Sequence, residues 1–349
     1  MRLPNWNLTF TAKRRLQRIG LITAILVMVL ILFWFCWVIW IERYVVYSRE
    51  GASIDTSLPE RYAGGQVAAP PSVDETIPIY INEGSDTINT ETTLTRLSGY
   101  YIEQEQLAED LNSVKDVIAT LPAESAVLLE LKSILGRFNY QTSLPNATLA
   151  SNIDTHAVNQ LITEITSRNL YAVAMIPAFR DRAYVLNMNA YFLKDSNGYG
   201  WMDDQKCYWL DPTDNGSLNW LIQIVEELRS MGFDEVVVSE FRIPTSDGIR
   251  FSGDRDAAIK AAAAKLVETC ATPNFVVSFA TNDTAFPVPE GGQSRIYLTD
   301  VGAKDADAAA AKVPVGDTET QLVFLATSTD TRYDKYGCLR PIITASMGN

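Results

Sequence analysis

The segment GFDEVVVSEFRIP (232–244) ends a run of three valines in a carboxylate, Glu240, and a guanidinium, Arg242. Other short apolar runs end in charge as well. Glu103 closes GYYIE, Glu130 and Lys132 follow AVLL, Asp181 follows LYAVAMIPAFR, and Asp300 follows RIYLT. Carboxylates gathered at strand ends suit the cleavage of a glycosidic bond. One carboxyl protonates the leaving oxygen while the other attacks the sugar or activates water. The same groups hydrogen-bond neutral polyols. Strand ends run into polar loops in every barrel, so some carboxylates stand there by chance.

A second candidate is the segment AFRDRAYVLNMNAYFLKDSNGYGWMDDQKCYWLDP, which holds Phe179, Tyr184, Tyr191, Phe192, Tyr199, Trp201, Tyr208 and Trp209. A loop of roughly 35 residues in a compact domain is usually functional. Flat rings beside Asp and Asn suit stacking on sugar faces and hydrogen bonding to hydroxyls. The alternative is that the rings form the loop's own small core. The functional reading makes residues 179–211 one wall of a cleft, with Phe179, Trp201, Trp209 and Asp211 on the ligand.

Metal and cofactor chemistry have no sequence signal. The single histidine, His156, belongs to DTHAVNQL and fits the first turn of a helix capped by Asp154 or Thr155. No His/Cys cluster has metal-ligand spacing. Cys207, Cys270 and Cys338 can form at most one bridge, so no disulfide scaffold is expected.

These groups need strands and helices to position them. Strand-like runs occur at 99–103, 126–131, 170–179, 235–241, 274–280, 295–299 and 321–327. Between them lie amphipathic stretches such as LAEDLNSVKDVIATL and SLNWLIQIVEELRSMG, the latter with Ser217 as a candidate cap. Alternating strands and helices imply an α/β fold with a parallel sheet, and this many units fit a (β/α)8 TIM-type barrel. An eighth strand could come only from PIITA (341–345), which predicts a barrel irregular or incomplete at its C-terminal end.

The N-terminus is of another kind. Residues 19–41, IGLITAILVMVLILFWFCWVIWI, form an apolar run long enough to cross a bilayer as one transmembrane helix. Lys13, Arg14, Arg15 and Arg18 precede it, which predicts a cytoplasmic tail (1–18) and an extracellular remainder. A Gly-, Pro- and Ser-rich stalk (42–76) and the barrel domain (77–349) would follow. Five of the 29 basic residues lie before residue 41 and none of the 42 acidic ones, so the outer part has 24 basic residues and a net charge of −18. Such a surface is a poor partner for nucleic acid or an anionic polymer. The charge leaves room for a neutral ligand.

Taken in order, five blocks resemble the glycosyl hydrolase-like domain of bacterial membrane-anchored or secreted proteins, an amylase-like barrel family. GYYIE resembles its opening strand. AVLLELKSILGRFNY (126–140) resembles V-I-D-V-K-D-x-x-G-x-x-x-Y, with Glu130 at the Asp and with Lys132, Gly136 and Tyr140 matched. LYAVAMIPAFRD (170–181) resembles I-Y-V-I-A-R-I-V-V-F-K-D, matching Phe179 and Asp181, with Met175 at the Arg. GYGW…YWLDP resembles G-G-x-W…W-V-D-P, matching Trp201, Trp209, Asp211 and Pro212. The segment at 232–244 resembles G-F-D-E-I-Q-F-D-Y-V-R-F-P, with Arg242 and Pro244 matched and Ser239 at the strand-end Asp.

The resemblance implies a membrane-anchored extracellular domain that cleaves or binds polysaccharide, with Glu130 and Glu240 as catalytic carboxylates. Lys132, Phe179, Asp181, Trp201, Trp209, Asp211 and Arg242 would contact the substrate. Neighbours in a strand face opposite sides, so Glu240 can stand in for the missing Asp only through a local bulge. The alternative is a catalytically inactive carbohydrate-binding or envelope scaffold.

Overall fold

A computed structural model describes residues 94–287, 289, 293–326 and 328–343, the strands Val45–Ser48 and Gly51–Ile54, and Val27, Met28, Leu30 and Trp34. Eight parallel strands close a ring: β1 Ser98–Ile102, β2 Ala126–Glu130, β3 Tyr171–Pro177, β4 Glu235–Ser239, β5 Val276–Thr281, β6 Ile296–Leu298, β7 Leu322–Leu325 and β8 Gly337–Pro341. Their order in space follows the chain, and β8 closes the circle against β1.

Alternation in each strand builds two cores. Tyr101, Leu128, Val173, Val237, Tyr297, Val323 and Leu339 fill the barrel interior. Val127, Leu129, Ala174, Val236 and Val238 face outward into the larger core beneath the helices. Burial on both faces explains why these strands read as continuous apolar runs.

The helices are α1 Gln104–Glu109, α2 Leu111–Ala119, α3 Thr155–Ser167, α4 Arg182–Met188, α5 Asn215–Ser230, α6 Arg255–Cys270, α7 Ala306–Ala310 and α8 Thr318–Gln321. Asp154 caps α3, accepting from the N–H groups of His156 and Ala157. Asp214, not Ser217, caps α5. Ser217 is buried one turn in, where its hydroxyl donates to Tyr191 O at 3.0 Å.

The barrel is closed, which corrects the expectation of an incomplete C-terminal end. The last strand is GCLRP (337–341) rather than PIITA. Gly337 starts it because a Cβ there would come 2.8 Å from Leu322 O. A short 3-10 helix, Thr331–Lys335, occupies the crossover before it.

One cation pins the floor of the ring. Arg295 Nη1 lies 2.6 Å from Glu235 Oε2, and both side chains are buried. The same guanidinium donates to Thr95 O, Thr320 O and Tyr171 Oη at 2.9, 3.0 and 3.1 Å. Cys207, Cys270 and Cys338 are buried free thiols.

In the N-terminal unit, Val45–Ser48 pairs antiparallel with Gly51–Ile54. The proposed spanning segment 19–41 lies outside the described residues except for Val27, Met28, Leu30 and Trp34, which are helical and exposed. Among the described residues no helix is long and apolar enough to cross a membrane. The strand-like IPIYIN (77–82) also lies outside them.

Candidate active site at the barrel mouth

Glu130 is the last residue of β2 and continues the inward-facing series of Ala126 and Leu128. Its Oε2 accepts the Gln104 N–H at 3.1 Å, and Asn139 Nδ2 donates to its carbonyl at 2.9 Å. Burial pushes the carboxyl up to about 7, against the pull of the Gln104 N–H and with help from Glu103 and Glu105.

Glu240 follows the end of β4. Simple alternation would send it away from Ser239, whose side faces the barrel interior. Its backbone instead takes the left-handed conformation, with φ 50°. That conformation is costly for a residue with a Cβ and is held only where the surroundings over-determine it. It turns Glu240 onto the same cavity as Glu130 and Ser239. The cavity, of about 330 Å³, is also lined by Met175, Phe241, Arg242, Asn282, Thr299 and Asp300. Asp300, after β6, is left-handed too, with φ 59°.

Both oxygens of Glu240 are paired. Oε1 lies 3.2 Å from Arg180 Nη1, and Oε2 lies 3.1 Å from Arg242 Nη2. Arg180 is held from behind by Asp203 at 2.6 Å and by Gln205 Oε1 at 2.9 Å. Burial works against the Asp203 charge, but the N–H groups of Cys207 and Trp209 and the Arg180 guanidinium outweigh it and hold its carboxyl below the usual range. The two guanidiniums lie over the Trp209 ring, 5.7 Å (Arg180) and 5.0 Å (Arg242) from its centre.

The other expected ligand contacts need correction. Lys132 and Asp181 form an ion pair of 2.7 Å with neither side chain exposed. Lys132 Nζ also donates to Pro177 O, and Asp181 accepts from Trp220 Nε1 and the Tyr184 N–H. Phe179 is buried, its ring centre 4.6 Å from that of Phe241. None of the three lines the cavity. Asp211 accepts from the N–H and hydroxyl of Thr213 at 2.9 and 2.6 Å, a local turn.

The aromatic segment folds on itself through the bridges Arg180↔Trp209, Phe192↔Leu210 and Met202↔Tyr208. None of its residues lines the cavity. Trp209 is buried and donates to Asp203 Oδ2 at 3.0 Å, and Trp201 is half-buried, its indole nitrogen close to Gly248. The small-core alternative therefore describes this loop, and its contribution to the site is the Arg180 clamp. Arg180 and Asp203 were hidden in the sequence because the rings dominate that stretch. Their one signal is opposite charge within an aromatic loop.

Of the three carboxyls that line the cavity, Glu130 and Glu240 lie in contrasting environments. Glu130 is desolvated and retains a proton near neutral pH, while Glu240 is matched by two cations. Such a separation of roles is what acid-assisted glycoside cleavage requires.

No curated protein matches this chain. Among solved structures, a hypothetical protein from Ruminiclostridium thermocellum ATCC 27405 is similar at 22% identity and TM-score 0.45, over 52% of this chain and 96% of that one. An alpha-galactosidase from Geobacillus stearothermophilus aligns at 12% identity and TM-score 0.47, over 72% of this chain and 40% of that one. A beta-N-acetylhexosaminidase from Bacteroides fragilis NCTC 9343 aligns at 11% identity and TM-score 0.45, over 67% and 50%. The chain spans half or less of the length of these two enzymes. Residues 99–272 match the family model described as "Putative glycosyl hydrolase domain", and this part of the chain belongs to that family.

Proposed function

We propose that the barrel acts on glycan, with Glu130 donating a proton to the leaving oxygen and Glu240 supplying negative charge to the developing oxocarbenium. The observation that carries this reading is the convergence of both carboxyls on one cavity at the C-terminal ends of the strands, where barrel sites lie. Hydrolysis of a panel of neutral polysaccharides and aryl glycosides tests it. The Glu130→Gln protein should lose about 10²- to 10⁴-fold in rate. An undiminished rate would remove Glu130 from the chemistry.

Two observations favour a second reading, binding without cleavage. Ser239 lines the cavity where the family pattern has Asp, and Met175 lines it where the pattern has Arg. A glycan array on the same protein separates the two, since a pure binder retains ligand and releases no product. Ser239→Asp then tests whether a carboxylate at that position brings hydrolysis. The apolar run at 19–41 and the basic residues before it support a membrane-anchored domain facing outward. Protease treatment of intact cells should then cut the barrel domain, and a shielded domain would reverse the topology.

A further inference from the structure

We propose that the cavity continues into a binding track over the segment that follows β2, so that the ligand is a chain of several sugars. This rests on the glycan reading above. At about 330 Å³ the cavity is near the lower end of the roughly 300–1,000 Å³ usual for ligand sites, too small for a polymer. A longer glycan must leave along the surface, and the ground beside Glu130 is shaped for it.

Residues 133–135 form the partition. Ile134 lines the cavity, whereas Ser133 and Leu135 line a second hollow of about 180 Å³ on the other side. Gln104, which lines the second hollow, donates its N–H to the Glu130 carboxyl that lines the first. Leu135 and Arg137 are then shared with a third hollow of about 310 Å³, which runs on to Arg182, Leu186 and Asn187.

The lining suits a neutral glycan. The second hollow offers the amides of Gln104 and Asn152 and the carboxylates of Glu105 and Glu109 beside Arg137, over small apolar side chains. With Arg182 in the third, two acids stand against two bases, so neither a polyanion nor a polycation is favoured. Sugar rings present hydroxyl edges and apolar faces, and alternating polar and apolar surface meets both. Arg137 is exposed, and among the described residues its side chain makes a single long hydrogen bond, 3.4 Å to Ser151 Oγ.

The test uses cello-, chito- and malto-oligosaccharides of increasing length with the full chain. For whichever series is cleaved, kcat/KM should rise about tenfold or more with length, equivalent to about 1.4 kcal/mol of added contact. Arg137→Ala and Leu186→Asp, both at exposed positions, should flatten that rise while thermal melting stays unchanged. A cleaved series without length dependence, or a rise that both variants retain, overturns the track and leaves the glycan reading standing. If no oligosaccharide is bound or cleaved by the unaltered protein, the glycan reading falls and the track falls with it.

Discussion

Arg180 donates to Glu240 across 3.2 Å while Asp203 grips the same guanidinium at 2.6 Å. The charge order is acid, base, acid, and Arg242 ends it with a second base on Glu240. A long loop after β3 thereby acts on a residue after β4. Its rings shelter this chain of charges and line no part of the cavity.

Replacing Arg180 by Met should therefore lower kcat with little change in KM, because the residue orients Glu240 from behind. The lost charge-assisted hydrogen bonds should also cost about 1.5–3 kcal/mol of stability. Arg180→Lys should recover part of the rate. A change confined to KM would mean that Arg180 contacts the ligand directly.

Trp209→Ala should destabilise the fold by about 3–5 kcal/mol, because it empties a buried site and removes the indole N–H from Asp203. Tyr199 is 74% exposed, and its replacement by Ala should stay within about 0.5 kcal/mol. Urea unfolding of both proteins measures the contrast. Equal, small effects would return Trp209 to the ligand wall.

The buried pair Lys132–Asp181 should behave as one unit. Lys132→Met or Asp181→Asn alone leaves an uncompensated charge and should cost about 3–5 kcal/mol. The double variant leaves none, so its loss should be well below the sum of the singles. Additive losses in a double-mutant cycle would show that the two charges do not support each other.

Glu130 makes a pH prediction with a definite sign. Its folded-state carboxyl titrates at about 7, above the 4.5 of an ordinary glutamate. The folded form therefore holds more protons than the unfolded form between these values, and stability falls as pH rises through that window. The penalty is complete above about pH 7 and amounts to about 3 kcal/mol. Glu130→Gln should remove this slope, making the variant the more stable protein at pH 8 and similar to the unaltered one at pH 4. Denaturant titrations at the two pH values check it. Any activity that needs the Glu130 proton should decline above neutrality.

Seven strands were legible because parallel strands buried on both faces cannot hide among polar residues. The eighth was not. Gly337, Cys338, Arg340 and Pro341 look like a loop, and only the register with Ser98–Tyr101 makes a strand of them. Strand ends were legible too, but the fate of residues just beyond them was not. Lys132 is two positions past Glu130 and should share its face by alternation, yet β2 stops at Glu130 and the chain folds back to bridge Phe138. The converse holds at Glu240. Alternation forbids it the cavity, and one positive φ restores it.

Arg295 bears on how the domain can be assembled. It reaches the carbonyl of Thr95, which is 200 residues earlier in the chain. A contact of that separation carries the loop-closure cost of most of the domain. It also makes the ring indivisible. A fragment ending before Arg295 would carry Glu235 without its cation and expose two unpaired strand edges, an invitation to aggregate. Half-barrels of this protein should not fold as independent modules.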